Sequence, residues 1–270
     1  MTGRKMLRKN AVIAAVAVLI LILAIGGVTY AWFTFTTYTN ITPMRGNVTG
    51  GGVNLLIANA EDGPFDVSCE LVLSSDTDTI EPVTTADLSR FFVPVHQDKN
   101  GVPSSYRDAT ETLGKYALFG TVWIVAEDAS ATVYLHKDRL SFGSDIQAVA
   151  AMRLGLRITT LEGTSVYIFR LDDMADTEDA ASTWTIPREN TVYGGSYVDD
   201  PALDLDPYCA TGTEETLTAA ENVLFSLRAD EVGRVDYWLY LEGCDPNCIN
   251  AVKAKDVALQ LGFAGVERTE

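Results

Sequence analysis

VDYWLYLEGCDPNC, residues 235–248, alternates apolar and aromatic side chains as far as Leu241 and then breaks into a loop with two cysteines. A period of two argues for a strand rather than a helix. Asp245-Pro246 favours turn initiation, and Gly243 would permit a positive φ ahead of it. The stretch reads as a strand-to-strand connection pinched by a disulfide, or as a rigid surface loop that meets a partner with little entropy loss.

The same period runs outward along most of the chain. It appears in residues 32–41, Asn47–Asn59, Phe65–Ser75, Tyr116–Glu127, Ala131–Leu140, Arg153–Leu161, Ser165–Leu171, Val223–Ala229 and Asp256–Gly265. Valine, threonine and aromatic enrichment between turn residues supports strands throughout. About ten short strands predict an all-β chain, an antiparallel β-sandwich of the jelly-roll type. Two short helices are expected as crossovers, Thr84–Phe92 and Ser144–Met152, each opening on a hydroxyl residue. Residues 172–182 and 189–215 are acidic, lack periodicity and read as insertion loops. Gly50, Gly51 and Gly52 mark a bulge or a close backbone approach, because no lysine or helix follows to make a phosphate cradle.

The N-terminus has a different design. Arg4, Lys5, Arg8 and Lys9 precede an apolar run, residues 11–28, and Thr29-Tyr30-Ala31 follows. The run is long for a signal core and barely long enough to span a bilayer. Basic residues on its near side place everything after it outside the membrane. Two fates are open: cleavage at the Ala31–Trp32 bond, or retention of residues 11–28 as a single-pass membrane anchor. The expected layout is therefore 1–31 as signal peptide or anchor and 32–270 as one exported domain.

Charge narrows the partners. From residue 32 onward there are 16 basic and 37 acidic side chains, a formal charge of −21. Such a body repels phosphate backbones, so no nucleic acid partner is expected. All four cysteines lie in the exported part, and an even count there favours disulfides. Cys244 would pair with Cys248, leaving Cys69 for Cys209. Asp199, Asp200, Asp204 and Asp206 offer oxygen ligands for Ca2+ within eight residues, although a solvated acidic loop is the simpler reading of them. No other cofactor is implied. The two histidines, His96 and His136, have no orienting partner in sequence, and no nucleophile or zinc motif is present. A non-enzymatic role is expected.

GGVTYA-WFTFTTYTN-ITPMRGNVTGGGVNLLIA, residues 26–58, resembles the N-terminal region of the TasA/camelysin family of exported biofilm-matrix and cell-surface proteins. The resemblance covers about 33 of 270 residues. It implies removal of the leader by a dedicated signal peptidase, a secreted jelly-roll body, and assembly by donor-strand addition into a like subunit or another matrix protein. Carried over, the donor is the strand from Trp32 to Ile41, with Phe33, Phe35 and Ile41 filling the acceptor groove. Four cysteines and long acidic insertions depart from the family pattern and fit an accessory protein as well as a fibre subunit. The alternative is a membrane-anchored extracellular binding module that presents its acidic loops.

Overall fold

The computed structural model describes residues 37–38, 45–51, 53–72, 74, 79–97, 103–136, 140, 149, 151–170, 185–188, 191–196, 208–210, 222–245, 248 and 259–268. The chain divides into two compact units at Phe35/Thr36, and every described residue belongs to the second. Among the described residues no helix is long and apolar enough to cross a membrane. The expected leader, its Ala31–Trp32 bond and the donor residues Trp32, Phe33, Phe35 and Ile41 lie outside the described residues.

The described chain is almost entirely strand. In order these are β1 (Thr37–Tyr38), β2 (Arg45–Gly51), β3 (Asn54–Ala58), β4 (Ser68–Glu70), β5 (Thr79–Ile80), β6 (Phe92–Gln97), β7 (Pro103–Asp108), β8 (Ala117–Glu127) and β9 (Ala131–His136). Then follow β10 (Met152–Thr160), β11 (Gly163–Arg170), β12 (Thr185–Arg188), β13 (Thr191–Ser196), β14 (Cys209–Ala210), β15 (Phe225–Leu227), β16 (Val232–Leu241) and β17 (Gln260–Glu267). A single 3-10 turn, Thr110–Lys115, precedes β8. Two larger sheets organise them. One has the order β11-β10-β16-β8-β3 and is antiparallel throughout. The other runs β14-β9-β17-β2-β4, with β15 also paired to β9. Its β17–β2 and β14–β9 pairs are parallel, a departure from the fully antiparallel pairing expected.

The two sheets share one core. Leu55 and Ile57 of β3, Val122 and Ile124 of β8, Leu154 and Leu156 of β10, and Tyr237 and Leu239 of β16 contribute from the first sheet. Val48, Val133, Leu135, Leu261 and Phe263 contribute from the second. The body is thus a sandwich of two layers, as the period-two pattern predicts. Gly265 of β17 shows how close the layers come, since a Cβ there would lie 3.1 Å from Val53 and 3.3 Å from Leu55. The Gly50-Gly51 run belongs to β2 and pairs with Gly265 and Val266.

A third layer covers the outer face of the first sheet. Cross-strand register places Ile168, Gly155, Trp238 and Phe119 in one row there, and Arg170, Arg153, Tyr240 and Ala117 in the next. Val83, Leu88, Phe91, Ala109 and Tyr116 pack over these rows in a second apolar cluster. Phe91 lies edge-on to Tyr240, centroids 6.0 Å apart. Strand β16 is therefore buried on both faces from Val235 to Leu241.

This layer contains the segment expected to be a helix, and it is not one. Thr84 and Phe92 exchange two backbone hydrogen bonds of 2.8 Å, closing residues 84–92 into a loop. Thr85 Oγ1 accepts from the Leu88 amide at 3.0 Å, and Asp87 Oδ1 accepts from the Ser89 amide at 2.9 Å. Such local side-chain acceptors compete with helical bonding. Leu88 takes a left-handed φ of 56°, and its side chain seats on Gly155. The second expected helix, Ser144–Met152, lies mostly outside the described residues, and its last residue opens β10. The loop expected at 189–215 is likewise not featureless, because it contains β13 and β14.

Gly155 is where the third layer docks. A Cβ there would meet Leu88 Cδ2 at 2.5 Å and Cδ1 at 2.9 Å. Gly155→Ala is expected to destabilise the fold by about 1–3 kcal/mol through overpacking. Urea unfolding of the single variants and of Gly155→Ala/Leu88→Ala checks this, since the double variant should cost less than the sum of its parts.

Candidate functional site: a buried ionic cluster

Strand β16 leaves its sheet at Leu241, and the next residues fold over the strand end rather than into solvent. The Glu242 amide bonds to Ala151 O at 2.8 Å, prolonging the ladder toward β10. Val83 N bonds to Leu241 O at 2.9 Å, and Gly243 N to Val83 O at 3.0 Å, so the third layer grips the same turn. Gly243 is not among the glycines with left-handed φ, which are Gly63 and Gly163 among the described residues. What it provides is close approach, since a Cβ there would lie 2.8 Å from Pro94 Cγ. Two further turns follow, Asp245 N to Glu242 O at 3.1 Å and Cys248 N to Asp245 O at 2.9 Å.

Folding the loop inward buries its charges. Arg153, Glu242 and Asp245 are 0%, 1% and 4% exposed. Arg153 donates from Nη2 to Asp245 Oδ2 at 2.5 Å and from Nη1 to its neighbour Met152 O at 2.9 Å. Glu242 Oε1 accepts the Cys244 amide at 2.9 Å. Tyr106 of β7 brings its hydroxyl within 3.5 Å of Cys244 Sγ. Burial drives the Glu242 carboxyl up to about 7, against the opposing pull of the Arg153 charge and the Cys244 amide, with Thr84 beside it and Asp245 adding repulsion. Burial also pushes the Cys244 and Cys248 thiols up, reinforced by the nearby carboxylates. Thiols held protonated in this way are poor nucleophiles and poor metal ligands.

Chemically the cluster fastens a loop and holds one proton near neutrality. Sequence reading reached its cysteines and its loop but not its acid and base. In sequence Arg153 opens one ordinary strand pattern and Glu242 stands at the close of another. The usable signal was a charged residue at each end of strands otherwise apolar on both faces.

The expected disulfides are not formed, and all four cysteines are thiols. Cys69 lies in β4 and Cys209 in β14, at opposite ends of the strand order β14-β9-β17-β2-β4. Four strand spacings separate them by roughly 19 Å, whereas a disulfide needs Cα atoms within about 7 Å. Cys69 instead packs near Gly46, where burial raises its thiol to about 11. Cys244 points at Tyr106 and Glu242 rather than at Cys248. His136 closes β9 in the second sheet, and His96 belongs to β6, with its side chain outside what is described. The Ca2+ candidates Asp199, Asp200, Asp204 and Asp206 lie outside the described residues. Among the described residues no group of three or more histidine, cysteine or carboxylate side chains is arranged to hold a metal.

No family model, curated protein or solved structure matches this chain.

Two measurements test the cluster. Removing the Asp245 carboxylate takes a buried charged partner away from Arg153, so Asp245→Ala should cost about 3–5 kcal/mol in denaturant unfolding. Glu242 sets a pH dependence. Its folded value of about 7 lies above its ordinary 4.5, so the folded protein binds the extra proton across that window. Stability is therefore greatest below pH 4.5 as far as this group is concerned, and falls as pH rises through 7. Arg153, Asp245, Cys244, Tyr106 and Thr84 all face it. Asp87 and Asp108 shift the opposite way: burial raises them, but hydrogen bonds from Ser89, and from Arg90 and Thr110, outweigh it. Their effect is confined to the acid limb below about pH 4. The apparent Tm should drop by roughly 5–10 °C from pH 5 to pH 8, and Glu242→Gln should flatten that slope.

Proposed function

We propose that this chain is an exported structural protein of a cell surface or biofilm matrix, a fibre subunit or an accessory. In this reading the Ala31–Trp32 bond is cut, and residues 32–41 pair as a strand with a neighbouring subunit. The observation that carries it is the pairing of β1 with β5. Thr37 and Tyr38, in the middle of the donor segment, make antiparallel register with Ile80 and Thr79. Ile80 is fully buried in the main core, so the acceptor edge leads directly into apolar surroundings. A strand that pairs at this edge within one chain can pair there between chains, since backbone hydrogen bonding is indifferent to the source of the strand. The alternating Phe33, Phe35 and Ile41 supply the side chains that would set register.

The leader supports the export half of the reading, through its basic start, its apolar core and its small-residue exit. The resemblance of residues 26–58 to TasA/camelysin proteins supports the matrix half, and a jelly-roll form of the sandwich extends that resemblance to the body. The acidic exported surface fits a non-catalytic role among like subunits, kept soluble until strands are exchanged.

Native material should begin at Trp32, and residues 32–270 should form filaments visible by electron microscopy. Phe33→Asp/Phe35→Asp should abolish them while leaving the monomer folded. Membrane-bound chains with Met1 intact would instead support the anchored binding module. A monomer indifferent to deletion of residues 32–41 would sink strand addition.

A further inference from the structure

We infer that Arg170, on the outer face of the first sheet, forms an oxyanion site for a carboxylate or phosphate group. Arg170 ends β11 and stands directly across from Arg153 in the register with β10. Paired positions point to the same face of a sheet, so two guanidinium-bearing residues lie side by side there. Their circumstances differ. Arg153 has the Asp245 carboxylate. Arg170 is 2% exposed, and its buried Nε and Nη1 have no hydrogen-bond partner. An interior cation without a counter-charge costs several kcal/mol, and native proteins pair such groups.

The kind of group that is missing follows from what is already there. Guanidinium N–H groups can only donate. The complement to a donor-only group is an acceptor-only one, and the planar guanidinium fork favours a carboxylate or phosphate oxygen pair. Strand β11 is the outermost strand of its sheet among the described residues, so Arg170 lies at the edge of that sheet rather than at its centre. The inference is independent of how the protein is exported or assembled.

The test is thermal unfolding of the full-length chain in detergent, titrated with sodium phosphate or sodium malonate against sodium chloride of equal ionic strength. The expected result is a saturable rise in Tm with one or both oxyanions and little with chloride. Arg170→Met should lose that rise and should melt higher than the parent protein when no oxyanion is present. If Arg170→Met fails to fold, Arg170→Lys carries the test: it keeps the charge but loses the fork, and its half-saturating concentration should rise at least tenfold. A parent protein that responds to neither anion overturns the site, as does a rise unchanged in the Arg170 variants. The Asp172→Asn/Asp173→Asn variant is the remaining control. If it alone abolishes the anion response and destabilises the chain, the carboxylate comes from the chain itself and the inference is overturned.

Discussion

From Val235 to Leu241, β16 has no solvent face, and that constraint shapes everything around its end. A strand covered on one side can shed its polar neighbours into water on the other. Between the sandwich core and the third layer, β16 has no such outlet. Asp236 stays satisfied because Thr121 and Arg234 reach it at 2.6 and 2.9 Å, at the margin where the covering layer stops. At the opposite end the layer covers the strand, so Arg153 and Asp245 pair inside the protein and burial favours the protonated form of Glu242.

That requirement explains the tightness of the turn after Leu241. Asp245 meets Arg153 because the loop doubles back, and the loop doubles back because Gly243 lets Pro94 and Val83 close over it. The Arg157 guanidinium gives a second tie between layers, since it donates to Leu88 O and lies 5.1 Å from the Trp238 ring centroid. Each tie joins the first sheet to the 83–93 segment. A buried ion pair contributes little net stability compared with apolar packing of the same volume, but it punishes any misplacement of the loop. The cluster is better understood as specifying one arrangement of three layers than as adding to their stability.

How much of this was legible in the sequence depended on which layer a residue belongs to. Strands β8, β10, β11, β16 and β17 carry long period-two runs, and the structure places them within a few residues of where alternation predicts. Strands β6 and β7 were missed because Pro94, the PVHQDKNG break and an exposed Arg107 hide the pattern of a short hairpin. The 84–92 segment misled because a capping threonine followed by spaced apolar residues describes a loop that packs on a sheet as well as a helix that does. The disulfides misled for a different reason: proximity in sequence says nothing about which side of a loop two thiols face, and an even count says nothing about opposite edges of a sheet. Long-range facts of this kind are set by register, which a single chain does not display.

The same logic separates two regions of the sandwich. Around β16, polar groups are buried under two layers and answer to each other, so variation there is constrained by stability. At β5 the sheet pairing is only two residues long, yet Ile80 beneath it is fully buried. A short ladder next to a deep apolar contact is the arrangement that the strand exchange proposed above would need. The assembly proposed above would need both conditions at once: a body that cannot rearrange and an edge that can. Here the three-layer packing about β16 supplies the first, and the β1–β5 pairing has the form the second requires.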